Sequence, residues 1–171
     1  MVELLASDFR PIVQTAFAVS VCVAAFLWGR GPERAIAIVW LVLFEIALHF
    51  YQVAFAAGPR LTNVDLFLAS LDGFAVALFI LIALNANRTY PLCIAALQVL
   101  AITAHLARGL IEAISPIAYA IMVIGPGWLQ LMIFTVGIAR HVQRERRWGQ
   151  YREWRRSAVR HHPVPAGVRV D

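Results

Sequence analysis

Residues 35–57 read AIAIVWLVLFEIALHFYQVAFAA, twenty-three positions with no Lys, Arg or Asp and a single Glu, closed by Gly58-Pro59. About 20 predominantly apolar residues are what a helix needs to cross a ~30 Å hydrocarbon layer, and Gly-Pro is a strong helix stop. Four further runs of this kind flank it. The first is Pro11–Gly29. Glu3 and Asp8 against a lone Arg10 carry the wrong charge for a signal peptide, and no small-residue cleavage site follows, so this run is expected to be retained. The third opens after Thr62 or Asn63 as N-cap and covers 66–84, ending in the polar stretch 85–90. The fourth starts at Pro91 and reaches about Ala107, a short span that Leu110 and Ile111 would lengthen. The fifth begins with Ser115 as N-cap and Pro116 at the first helical position, and runs to Ala139.

The expected fold is therefore all-α: an integral membrane bundle of five transmembrane helices over 1–139, then 140–171 as an Arg-rich interfacial helix and a disordered end. Composition agrees. The chain has 171 residues, 61% hydrophobic and 15% charged, with a mean hydropathy of +0.72. Soluble domains carry about a quarter charged residues. Five spans leave no length for a separate soluble catalytic domain. All fifteen basic residues are Arg, which reflects a GC-rich bacterial genome more than chemistry. Cys22 and Cys93 fall in apolar runs on different spans and read as small hydrophobes, with no CxxC pair.

Orientation follows from arginine asymmetry. With the C-terminus inside, the cytoplasmic side holds Arg30, Arg34, Arg88 and nine Arg after Ala139, against Arg10, Arg60 and Arg108 outside. Without the tail the count ties at three each, so the tail decides. The N-terminus is then periplasmic and the membrane a bacterial inner membrane. Small residues four apart (Ala16, Ser20, Ala24; Ala69, Gly73, Ala77) form ridges that let helices approach closely in lipid.

An ionisable group at the bilayer centre costs roughly 2.5–3.5 kcal/mol on insertion scales, so it normally faces a partner or a cavity. Glu45, His49 and Gln52 share one face of the second span at i, i+4 and i+7. The third span holds Asp72, the fourth Gln98, Thr103 and His105, the fifth Gln130. Counted at 1.5 Å per residue, Glu45, His49, Asp72, Gln98 and His105 fall between the midplane and the outer side on three consecutive spans. Three uses of this layer compete. It is a structural polar network with shared protons. Alternatively His49 and His105 are axial ligands of a haem b. Or the layer is a proton, ion, metal or quinol site, with Glu45, His49, Asp72 and His105 as ligands or relay. Gly125-Pro126-Gly127 predicts a kink or a short unwound stretch in the fifth span, since Pro126 leaves the Met122 carbonyl without its bond, and Gln130 is placed to reach across it.

From Arg140 the chain reads RHVQRERRWGQYREWRRSAVR. Arg140, Arg144, Arg146, Arg147, Arg152, Arg155 and Arg156 are interleaved with Trp148, Tyr151 and Trp154, which recur every three residues. This predicts an amphipathic helix on anionic inner-leaflet lipid. Adjacency to a membrane span argues for the bilayer over nucleic acid as its partner, and His161 and His162 are expected to be solvated.

Residues 90–122, YPLCIAALQVLAITAHLARGLIEAISPIAYAIM, resemble small uncharacterised polytopic membrane proteins of alphaproteobacteria, sphingomonads in particular. The shared features are aromatic-Pro-Leu at the span start, the Gln with a later His-Leu-Ala-Arg, and Ser-Pro-Ile-Ala-Tyr-Ala. The resemblance implies the five-span layout and brings no activity. Function is expected to lie in one of two classes. One is a non-enzymatic structural or accessory membrane component, with other subunits of a membrane complex as partners. The other is a small haem-, metal-, quinol- or ion-handling protein.

Overall fold

The computed structural model describes residues 9–55, 66–110, 115–149 and 152–155. Among them, five helices are long and apolar enough to cross a membrane, and the chain is an all-α, multi-pass membrane protein. The first span is Phe9–Trp28. The second is continuous through three segments, α over Gly31–Trp40, π over Leu41–Ala47 and α over Leu48–Phe55. The third is Leu66–Asn85, the fourth Tyr90–Leu110 and the fifth Pro116–Trp148. In chain order they pack round a ring, each on its predecessor, and the fifth closes on the first.

Several boundaries move from the sequence expectation. The second span starts at Gly31, not Ala35, because Pro32 occupies the first turn and Glu33 reaches back to the Arg30 backbone N–H at 3.1 Å as a capping box. The fourth span is full length, its 21 residues covering about 32 Å. In the fifth, Ser115 caps as expected, accepting from the Ala118 N–H at 3.2 Å. That helix does not stop at Ala139. It runs without a break to Trp148, where Gly149 at φ 70° ends it. Nor does it unwind at Pro126, since Gly125 and Gly127 stay helical. The N-cap candidates Thr62 and Asn63 and the stop at Gly58-Pro59 lie outside the described residues.

The packing is inverted relative to a water-soluble bundle. Ala18, Ala25, Ala37, Ala75, Ala83 and Ala95 line the interior, while Ile46, Phe50, Phe74, Leu81 and Leu84 point outward. Lipid tails are as apolar as leucine, so helices associate through close backbone approach, and small residues face inward. The ridges chosen by spacing are not those seams. Ala16, Ser20 and Ala77 are exposed, and a Cβ at Gly73 would meet open space. An alanine-rich helix offers four-residue spacing on every face. The buried seam of the third span, Asp72, Ala75, Phe79 and Ala83, is instead the one that carries the acid.

The ends of the spans at 28–31 and 85–90 meet the end of the fifth, and here a polar cluster closes the bundle. The Glu33 carboxylate, fully buried, pairs with the buried Arg88 guanidinium and accepts from the Tyr90 hydroxyl at 2.8 Å. Arg30 donates to Glu145 from Nε at 3.0 Å and pairs with Glu153 at 3.3 Å, and the Glu145 bond holds its pKa above the ordinary arginine value. The Glu153 carboxylate also accepts from the Gly31 N–H at 3.2 Å. Residues 152–155 pair with 85–87 through Asn87 N–H to Glu153 O at 3.1 Å and Arg155 N–H to Asn85 O at 2.8 Å. Trp154 packs over Gly31, where a Cβ would come within 2.5 Å of its indole nitrogen.

Removing one partner of a buried ion pair costs about 3–5 kcal/mol, because the remaining charge is stranded. Arg88→Gln is therefore expected to lower unfolding stability by that order, and Arg88→Gln/Glu33→Gln to regain most of it. Denaturant unfolding in detergent checks this. Equal stability of wild type and Arg88→Gln contradicts the role of the pair.

Candidate functional site

Asp72 is a near-central acid on the inward seam of the third span. The fourth span turns Ile94, Gln98, Ala101 and His105 inward, and Gln98 and His105, seven apart, stand two turns from one another on that face. The Asp72 carboxylate lies between them. Gln98 Nε2 donates to Oδ1 at 2.7 Å, and His105 Nε2 meets Oδ2 at 2.9 Å. The fifth span supplies the two ends. Tyr119 Oη is 2.7 Å from His105 Nδ1, with the rings edge to face, and Gln130 Nε2 donates to Gln98 Oε1 at 2.7 Å.

The result is one chain of five side chains across three spans, Tyr119–His105–Asp72–Gln98–Gln130. His105 and Gln98 are each 2% exposed and Gln130 1%. Because Tyr119 and Gln130 are eleven residues apart, the chain covers about 16 Å along the membrane normal. Its one open end is Gln130 Oε1, buried without a hydrogen-bond partner.

Hydrogen-bond logic allows this chain two states one proton apart. With Asp72 ionised and His105 neutral, Nε2–H donates to the carboxylate, Nδ1 accepts the Tyr119 proton, and the chain carries one negative charge. With one proton more, Nδ1–H donates to Tyr119 Oη, the second proton lies between Nε2 and Oδ2, and the chain is neutral. The direction of the Tyr119 hydroxyl reverses between the two.

Of the polar residues expected inside the bundle, Asp72, Gln98, His105 and Gln130 come together. Gln130 reaches Gln98 and does not bridge a gap at Pro126. Glu45, His49 and Gln52 do not join them. Their shared face is real but points outward: His49 and Gln52 are exposed, and Glu45 is half-buried in the π segment beside the Thr15 hydroxyl. The second span packs instead through Ile36, Ala37, Val39 and Trp40. The two histidines of the haem reading are not brought face to face: both nitrogens of His105 are engaged and His49 stands on the outer surface. Nor do Glu45 and His49 converge with Asp72 and His105 as one four-ligand set. Among the described residues, no three His, Cys, Asp or Glu side chains converge. Cys22 is buried, as expected of a small hydrophobe, whereas Cys93 is exposed.

The basic tail also departs from its expectation. Arg140, Arg144, Arg146, Arg147 and Trp148 are exposed on the last turns of the fifth-span helix, not on a separate element. Arg152, Trp154 and Arg155 belong to the non-helical segment that caps the bundle, so Trp148 and Trp154 do not share a helical side. Tyr151 and Arg156 lie outside the described residues. Tyr119 and Glu33 join the polar contacts without belonging to the polar set expected from the sequence. Tyr119 was legible in principle, since a phenol inside a span needs a partner. Glu33 precedes the expected start of the second span at Ala35, so no intramembrane signal marks it.

Comparison with protein-family models, with curated proteins and with solved structures finds no match.

Intramembrane hydrogen bonds average about 0.6 kcal/mol and reach about 1.7. Gln98→Leu removes two and strands both Asp72 Oδ1 and the Gln130 amide, so a loss of about 1–2 kcal/mol is expected. Thr103→Val, at an exposed position bonded only to its own helix at Leu100 O, is the matched control and should be close to neutral. Denaturant unfolding of both variants in detergent checks the difference.

Proposed function

We propose that this is an accessory subunit of a bacterial inner-membrane complex, with its N-terminus periplasmic and its C-terminus cytoplasmic. The outward stripe of the second span carries this reading. His49 is exposed about 9 Å from the centre of the Gly31–Phe55 span, still within the hydrocarbon half-thickness. A polar side chain facing lipid at that depth is costly, and such residues bond across to another helix. Glu45 and Gln52 extend the stripe, and Phe50 and Val53 widen it with exposed apolar surface. The chain Tyr119–His105–Asp72–Gln98–Gln130 then serves as an internal lock that keeps the third, fourth and fifth spans rigid behind the docking face. The sequence count of twelve arginines on the tail's side of the spans against three on the other supports the orientation.

A photo-crosslinking residue at position 49, irradiated in native membranes, is expected to give a protein adduct of defined mass. The same residue in place of Leu81, exposed on the third span, should give lipid adducts only. Identical lipid labelling at both positions overturns the reading.

A second reading is favoured by one observation, the imidazole of His105 bonded at both nitrogens to a buried acid and a phenol. In this reading the chain exchanges a proton, and the protein handles protons in the membrane. It predicts a carboxyl infrared band that titrates with pH, vanishes in Asp72→Asn and shifts in Tyr119→Phe. A spectrum with no titrating carboxyl band leaves only the lock.

A further inference from the structure

A cavity of about 580 Å³ opens between the starts of the fourth and the ends of the fifth span. Its walls are divided by chemistry. Cys93, Met132 and Val136 line it toward the middle of the two spans, and Arg88, Arg140 and Arg144 toward their ends, with no acidic side chain among the lining residues. From Met132 to Arg144 the fifth helix rises about 18 Å, so the apolar floor lies at hydrocarbon depth and the cationic mouth at headgroup level. Met132, Val136 and Arg140 are exposed, so the cavity opens sideways toward lipid.

The wall is built rather than accidental. Tyr90 packs flat against Gly137, where a Cβ would lie 2.8 Å from the ring, and the Tyr90 hydroxyl is tied to Glu33 at 2.8 Å. Tyr90 therefore cannot swing into the space. Arg88 is anchored on the same Glu33 carboxylate, which fixes its buried guanidinium in the cavity wall.

We propose that this cavity is a binding site for one anionic phospholipid, its phosphate held between Arg140 and Arg144 beside Arg88 and one acyl chain laid along Val136, Met132 and Cys93. Basic pockets between spans with an apolar floor match the two halves of such a molecule. A neutral phospholipid lacks the net charge that the mouth selects. A free phosphate ion lacks the chain that fills the floor. The site is independent of the docking stripe on the second span.

The test is thermal unfolding of the full-length, detergent-purified protein titrated with dioleoylphosphatidylglycerol, dioleoylphosphatidylcholine or inorganic phosphate. Phosphatidylglycerol alone should raise the midpoint saturably. An arginine near an anionic headgroup contributes about five-fold in affinity, so Arg140→Gln/Arg144→Gln should weaken the response about thirty-fold. Arg146→Gln/Arg147→Gln, with the same loss of charge on the same helix but outside the cavity, should leave it unchanged. Val136→Trp keeps every charge and fills the floor, and should abolish the response without altering the midpoint of lipid-free protein by more than the control pair does. Equal shifts with phosphatidylcholine, an equal shift with inorganic phosphate, or equal loss in both arginine pairs each overturn the proposal.

Discussion

A carboxylate in the middle of a membrane span has no water to solvate it, and the arrangement of this bundle follows from how Asp72 is satisfied. Its two oxygens take one partner each from the fourth span, Gln98 and His105, which are two turns apart on one face. That spacing lets a single carboxylate fix the height and the rotation of the fourth helix against the third. Gln98 and His105 pass the constraint to the fifth span through Gln130 and Tyr119, eleven residues apart on that helix. Apolar contacts alone would leave these helices free to slide, because lipid is as good a neighbour for leucine as another helix is. Directional bonds in a low dielectric remove that freedom.

The first two spans are held by other means. The first packs small residues, Ala18, Cys22 and Ala25, against Ile36 and Ala37 of the second, and closes the ring on the fifth with Phe17 stacked on Trp128. Beyond Trp40 the second span loosens into a π segment, and its far end is steadied by Tyr51 stacked on Phe67 at 4.1 Å. π segments inside α-helices are rare and occur frequently at functional sites. Here it coincides with the outward polar stripe. The bundle thus has a rigid half, locked by hydrogen bonds, and a half whose polar groups look outward.

The opposite requirement governs the end near Arg30. Charges gathered there are bridged in pairs, Glu33 with Arg88 and Arg30 with Glu145 and Glu153. Residues 152–155 turn back onto the bundle because Glu153 can satisfy both Arg30 and the free Gly31 N–H at the start of the second span. A helix N-terminus has unpaired N–H groups and a positive end of its dipole, which a carboxylate complements. Arg140 and Arg144, on the last turns of the fifth helix, line the cavity beside Tyr90.

The number of spans and their approximate limits were legible in the sequence, since hydrocarbon thickness fixes helix length and each run such as 35–57 is bounded by Gly, Pro or polar residues. The acid, amide and imidazole at bilayer depth were legible too, because any such residue is costly enough to stand out. Which face of each span turns inward was not. The face bearing Glu45, His49 and Gln52 satisfies the same periodicity as the face bearing Asp72, and in lipid both an apolar and a small-residue face are acceptable neighbours, so periodicity carries no sign. Tyr119 joins His105 from fourteen residues away, and Glu33 meets Arg88 across fifty-five. Only the ring of packed helices brings such residues together, because a hydrogen bond or ion pair is decided by ångström-scale distance in space, which separation along the chain does not encode.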